Sequence, residues 1–335
     1  HIVLNRPILP SEYPESGAAI LHFLQDLAPE SIKLLEDAAE TADNKFTVSF
    51  EGRTENGPVF FAVEVVPPIK QGMKAGRRPD MVQKGFRPGK VPTHIRMQRL
   101  FGGNKVERHE TRRADPSWIH GRDTHAVAPL FDKRVLMVGA GSLGSEVALL
   151  LAKTGVGSIT LVDPEVLDYP NVGRHVLGVT EVQTYKVKGL AKKLASNFPH
   201  MRTIKYFPED WQSLYSRCPE VFHDTDLIVS TVGSWVTEVR LNQVARNEAD
   251  FPPVIYGWAE PFSVAGHAVL IGSKGPCFAC GMDPFGKALQ TVCEWDTETT
   301  RKLPHCGASL QPHVQESLSG VAPLVATTTT TPLLR

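Results

Sequence analysis

The sequence predicts an α/β protein, a mostly parallel sheet with helices on both faces, preceded by a small α+β domain. Three observations predict it. From Lys133 onward, strand-like and helix-like runs alternate, which is the pattern of strands joined by helical crossovers. The first of these strands, "RVLMV", is apolar at nearly every position, as a strand covered on both faces must be. It then runs into Gly139-x-Gly141-x-x-Gly144 and an amphipathic helix.

Taken in order, Ile20, Leu21, Phe23, Leu24 and Leu27, then Ile32, Leu34 and Leu35, recur at helical spacing, with Pro29 dividing two short helices. "FTVSFE" and "VFFAVEVV" are β-rich runs joined by "GRTENGP" and read as a hairpin. Residues 1–67 are therefore expected to form the small α+β domain. Residues 68–107 read as a basic linker containing Gly and Pro, because Lys70 to Arg99 holds nine Lys or Arg and one acid, Asp80. It lacks the aromatic interleaving of a single-strand nucleic-acid surface, so nucleic acid is not the expected partner.

Residues 108–335 are expected to be the α/β domain. After "RVLMV" come the helix "SLGSEVALLLAKTG", the strand "SITLV", a helix near "VKGLAKKLASNF" and the strand "TIKYF". A helix near "WQSLYSR", the strand "DLIVSTV", the helix "VTEVRLNQVARNEA" and the strands "PVIYGWA" and "SVAGHAVLI" follow. "VQESLSGVAPLVA" reads as a helix, and "ATTTTTPLLR" as a low-complexity finish unlike that of an α/β domain. The chain is expected to be C-terminally incomplete.

Composition narrows the classes. The 36 basic and 36 acidic residues cancel, so net charge names no partner. No apolar run approaches the roughly 20 residues of a membrane span. Five cysteines, four of them between Cys277 and Cys306, favour reduced thiols with local chemistry over a disulfide framework. The expected compartment is the cytoplasm.

The glycine motif fits a Rossmann-like nucleotide turn. Gly139 makes the tight turn, Gly141 lets backbone approach a ligand, and Gly144 lets helix and strand pack closely. The helix N-terminus offers free N–H groups to an anion. Asp163 ends the second strand, nineteen residues after Gly144, where its carboxylate can accept ribose hydroxyls. Both NAD and ATP carry that ribose. Beyond it, Asp168, Asn171 and Arg174 fall at three-residue spacing, and Lys186 follows. Taken singly, such an Arg or Lys reads as a solvated surface cation. Taken as a set, two cations and an amide can neutralise a triphosphate and the charge that develops when an acyl group attacks it, which hydride transfer does not require.

That set resembles the adenylating superfamily of ubiquitin-activating E1 enzymes and the ThiF and MoeB proteins that activate sulfur carriers. The resemblance covers roughly Arg108 to Ala326, including "GPCFAC" and "SGVAPLVA". It implies an E1-like, ATP-dependent adenylyltransferase in which Gly139, Gly141, Gly144, Asp163, Asn171, Arg174 and Lys186 bind ATP. An arginine before the first strand, Arg122 or Arg113, is implied to reach the nucleotide of a partner in a homodimer. The family commonly places a Mg²⁺-binding aspartate just after its fourth strand, and here Gly233 stands there. Glu238 and Asp226 are the nearest substitutes.

Cys277-Phe-Ala-Cys280 has the spacing by which one turn presents two thiolates to Zn²⁺. A second such pair, which the resemblance implies, is absent from the sequence. Cys306, in "KLPHCGASLQPH", has His305 and His313 nearby to lower its pKa. The resemblance implies a thioester-forming cysteine between the CxxC and the last helix, which makes Cys306 the candidate nucleophile and Cys293, beside acids, its substitute.

The arrangement most resembles bacterial E1 modules fused to E2-like domains in antiphage (CBASS-type) systems. The implied partners are a protein with a flexible C-terminal tail, either ubiquitin-like or a nucleotidyltransferase, and an E2-like protein or domain. Alternatives are a sulfur-carrier adenylyltransferase without a thioester step, an NAD-dependent oxidoreductase, and an inactive E1-like scaffold.

Overall fold

The computed structural model describes residues 1–41, 45–55, 57–65, 83–87, 89–99, 103, 106–122, 124–272, 274–295, 301–302, 309–310 and 315–334. The chain divides into two units, His1–Arg113 and Ala114–Arg335.

The first unit contains β1 (Ile2–Val3), α1 (Gly17–Leu27), α2 (Ile32–Thr41), β2 (Phe46–Thr54), β3 (Gly57–Val65), α3 (Thr93–Met97) and β4 (Val106–His109). Its four-stranded sheet has the order β1-β2-β3-β4. Ser16 caps α1 by accepting the Ala19 N–H at 3.2 Å, which satisfies one of the donors that a helix start leaves open. Ile20 and Leu24 are thereby turned onto Phe50 and Val63, all fully buried. The expected break after residue 67 falls too early. Val106 is buried and pairs with Val65, so β4 returns to this sheet and the unit runs to Arg113. "VERH" holds one apolar residue, too little alternation to mark a strand. Much of the basic stretch, residues 66–82, lies outside the described residues.

The second unit opens with α4 (Pro116–Ile119) and α5 (Thr124–Val127), then β5 (Arg134–Val138), α6 (Ser142–Thr154), β6 (Ser158–Val162), α7 (Tyr169–Val172), α8 (Lys186–Asn197) and β7 (Thr203–Phe207). It continues through α9 (Trp211–Arg217), α10 (Glu220–His223), β8 (Leu227–Ser230), α11 (Trp235–Asn247), β9 (Val254–Ala259), β10 (Gly266–Ile271) and, later in the chain, α12 (Gln315–Leu333). The sheet order is β10-β9-β8-β5-β6-β7. All neighbours are parallel except β10, which runs antiparallel to β9 at the edge. The expected fold class is the observed one.

The apolar run of β5 divides between two cores. Val135 and Met137 pack with residues of α6, α8 and α12, whereas Leu136 and Val138 pack with α9 and α11 on the opposite face. The threonine run is not an irregular finish but part of α12. The Thr328, Thr329 and Thr331 hydroxyls each donate to the carbonyl four residues back, at 2.7–2.8 Å. That bond satisfies each hydroxyl inside the helix, while Leu318, Val321, Val325 and Leu333 are buried in the core. Among the described residues no helix is long and apolar enough to cross a membrane.

Candidate nucleotide site

Strand order reverses between β5 and β8, since β6 and β7 lie on one side of β5, and β8 and β9 on the other. The crevice at such a reversal, outside the C-terminal ends of the strands, is where open α/β sheets bind ligands. The glycine turn after β5 and the loop after β8 meet there. Thr231 donates from Oγ1 to the Gly139 carbonyl at 3.1 Å.

The three glycines have different reasons. Gly139 has φ +94°, a region that side chains disfavour, and an added Cβ would lie 3.1 Å from the Thr231 backbone. A Cβ on Gly144 would lie 2.2 Å from the Gly139 carbonyl oxygen. Gly141 has φ −72°, and an added Cβ would meet open space. Nothing among the described residues demands glycine there, which leaves a cradle that a side chain would fill beside the N-terminus of α6.

Asp163 is buried at the end of β6. Its Oδ2 accepts the Ala140 N–H at 2.7 Å and its Oδ1 the Glu165 N–H at 2.8 Å. Burial raises its pKa above the ordinary aspartate value against the pull of those two donors and of the Lys186 charge.

His175, which the sequence reading passed over, reaches the same turn. Its Nε2 lies 2.7 Å from the Ala140 carbonyl, and its Nδ1 accepts the Leu177 N–H at 3.1 Å. An acceptor at Nδ1 puts the ring proton of the neutral imidazole on Nε2. Burial lowers the His175 pKa, and the Lys186 charge adds to that, while the Ala140 carbonyl opposes it.

The cations are positioned by a short ladder. Val166 pairs with Tyr185, and the Lys186 N–H donates to the Glu165 carbonyl at 3.0 Å. Lys186 is 5% exposed, and its Nζ is paired with the Glu165 carboxylate, itself largely exposed. Asn171 Oδ1 accepts the Asp168 N–H at 3.0 Å and so holds the start of α7. Its amide N–H groups have no partner among the described residues. The half-buried Arg174 has no side-chain hydrogen bond or ion pair among them either, and its chain neighbour His175 ties it to the turn. Arg122 is exposed. Cys306 and its neighbours lie outside the described residues.

The two acids proposed to replace an aspartate at Gly233 fare differently. Asp226 precedes β8 and accepts the Arg134 N–H at 2.7 Å, at the end of the sheet opposite the glycine turn. Glu238 is at the correct end but faces inward. It is 6% exposed, and its Oε1 accepts from Ser230 Oγ at 3.2 Å and from the Gly233 N–H at 3.4 Å. Burial pushes its pKa up to about 7. The described residues therefore present no free carboxylate on this loop, and Mg²⁺ has no resident ligand of the expected kind.

Cys277 and Cys280 form a tight turn, with their sulfurs 3.3 Å apart. Asn242, buried on α11, holds it by accepting the Phe278 N–H at 2.9 Å. Burial of Cys277 opposes ionisation, but hydrogen bonds from Cys280, Asn242 and the Ala279 and Cys280 N–H groups outweigh it and lower its pKa. Among the described residues no group of three or more His, Cys, Asp or Glu is placed to hold a metal, so a four-ligand Zn²⁺ site is not assembled from them.

A further carboxylate was not legible in the sequence. Glu260, after β9, is 4% exposed and accepts the Val292 N–H at 2.6 Å, the Trp295 indole N–H at 2.8 Å and the Cys293 N–H at 3.2 Å, with His267 Nε2 at 2.7 Å. Burial alone would raise its pKa, yet these bonds hold it at about 2. Cys293 thus sits in a segment fastened to the end of β9.

The sequence profile of the ThiF family matches residues 121–330. The SAMP-activating enzyme E1 of Haloferax volcanii is 30% identical over 152 residues, covering 45% of this chain and 54% of that protein. The ATP-dependent ubiquitin transferase-like protein Cap2 of Escherichia coli strain TW11681 is 25% identical over 234 residues, covering 65% of this chain and 39% of that protein. The crystal structure of E. coli MccB with MccA-N7isoASN superposes with a TM-score of 0.50 at 16% identity, covering 65% of this chain and 64% of that one. At that identity the likeness shows the fold. The chain spans about half or less of the length of the curated relatives.

Proposed function

The chain belongs to the ThiF family, and on that premise we propose that it adenylates the C-terminal carboxylate of a protein or peptide with ATP and then passes the acyl group to a cysteine. The observation that carries this reading is Gly141, a glycine required by neither its backbone angles nor its neighbours, at the N-terminus of a thirteen-residue helix. Such a position suits a phosphate oxygen approaching backbone N–H groups.

In this reading the substrate carboxylate attacks the α-phosphorus of ATP and pyrophosphate leaves. Arg174, half-buried and unpaired among the described residues, and Lys186, whose Glu165 partner can turn into solvent, offset the charge that grows on the phosphates. Asp163 receives the ribose hydroxyls. Asn171 offers its amide N–H groups to phosphate oxygens. Arg122 acts in trans across a homodimer. Mg²⁺, if it accompanied the nucleotide, would offset phosphate charge, and the described residues of the loop after β8 present no free carboxylate to hold it. Cys306 is the proposed acyl acceptor, its thiolate displacing AMP from the acyl-adenylate to form a thioester, with an E2-like protein the next carrier and a ubiquitin-like protein or nucleotidyltransferase the substrate. Similarity over 65% of the chain to Cap2, an ATP-dependent ubiquitin transferase-like protein, supports a conjugation pathway, and we extend that reading to antiviral defence.

Titration with ATP and with NADH tests the nucleotide. ATP is expected to bind and NADH not, and the reverse overturns the reading. Intact mass after incubation with ATP and cell extract tests the second step, with a thiol-reversible protein adduct expected and absent from Lys186→Ala.

A further inference from the structure

The glycine turn contains two consecutive peptide groups whose orientations are fixed from outside. In the first, the Ala140 N–H is held by Asp163 at 2.7 Å and the Gly139 carbonyl by Thr231 at 3.1 Å. In the second, the Ala140 carbonyl is held by His175 at 2.7 Å. A trans peptide is planar, with its carbonyl and N–H pointing in opposite directions. Fixing the Ala140 carbonyl toward His175 therefore fixes the Gly141 N–H away from it. That N–H has no acceptor among the described residues, and the space an added Gly141 side chain would enter is open.

We propose that His175 is a positioning residue for the nucleotide: it orients the Ala140–Gly141 peptide so that the Gly141 N–H points at a phosphate oxygen. The proposal rests on the nucleotide reading above. His175 suits the task because it is 8% exposed and anchored on both nitrogens. Its ring also continues the backbone that carries Arg174, so one side chain ties the phosphate-facing turn to a phosphate-facing cation. Protonation of Nδ1 would set an N–H against the Leu177 N–H and unseat the ring. The charged groups acting on this assembly are Lys186, whose charge bears on both His175 and Asp163, and Glu165, which bears on Asp163 and is paired to Lys186.

The experiment measures ATP dissociation constants calorimetrically for the whole chain and for His175→Gln and His175→Leu at pH 7.5. His175→Leu is expected to weaken ATP at least tenfold at pH 7.5. His175→Gln, which keeps an N–H donor, is expected to stay within about threefold of wild type. Wild-type affinity in His175→Leu overturns the assignment. A folded His175→Gln as weak as His175→Leu reduces His175 to packing and overturns it too. Failure of the wild type to bind ATP overturns the nucleotide reading and this proposal together, which separates the two failures.

Discussion

Glu260 accepts the indole N–H of Trp295 at 2.8 Å across thirty-five residues of chain. The same carboxylate takes the Val292 and Cys293 N–H groups, so one buried charge fastens a whole segment. Glu260→Gln removes the charge and turns an N–H₂ toward donors, which is expected to cost about 2–3 kcal/mol. Denaturant unfolding checks the cost, and faster hydrogen exchange at Val292 and Cys293 checks its location. The pKa is depressed in the fold, so this stabilisation is present above the unfolded glutamate value of 4.5 and lost as pH falls toward about 2.

Glu238 has the opposite sign. Its pKa rises from 4.5 to about 7 on folding, so the fold favours the protonated acid. Its contribution is fully present below pH 4.5 and lost as pH rises through 7, amounting to about 3 kcal/mol for a shift of this size. Glu238→Gln is expected to flatten stability between pH 4.5 and 7. Melting curves across that range that slope as in wild type would exclude Glu238 as the source.

The glycines separate folding from binding. Gly144→Ala sets a Cβ 2.2 Å from the Gly139 carbonyl and is expected to destabilise by about 1–3 kcal/mol. Gly141→Ala meets no atom of the described residues and is expected to change stability by less than about 0.5 kcal/mol, yet to weaken ATP at least tenfold. Unfolding and ATP titration of the two variants check both halves.

Asn242 is expected to govern the CxxC turn. Asn242→Leu leaves the Phe278 N–H without its acceptor, at a cost of about 1–3 kcal/mol, and removes a hydrogen bond that favours the Cys277 thiolate. Slower alkylation of Cys277 by iodoacetamide at pH 7 is the expected outcome, and an unchanged rate would exclude that role for Asn242.

What the sequence made legible is what local pattern carries. "RVLMV", the glycine spacing and Asp163 each announce themselves within a few residues, and the structure brings Asp163, Lys186 and the turn together. His175 was hidden because its meaning lies in a contact with Ala140, thirty-five residues away. Glu260 was hidden for the same reason, since its partners Val292 and Cys293 donate from backbone, which no side-chain pattern marks. The threonine run misled because isolated propensity disfavours it in helices, whereas the hydroxyl bonds to Leu324, Val325 and Thr327 absorb its polarity.

α12 carries a consequence for how the molecule is made. Leu318, Val321, Ala322, Val325 and Leu333 line the same core as Val135, Val147 and Ile159, although nearly two hundred residues separate Val135 from Leu333. On the ribosome, one flank of the nascent sheet stays bare until α12 has been translated and has cleared the exit tunnel. A chain interrupted before α12 would therefore expose the apolar flank that Val135, Val147 and Ile159 share with it.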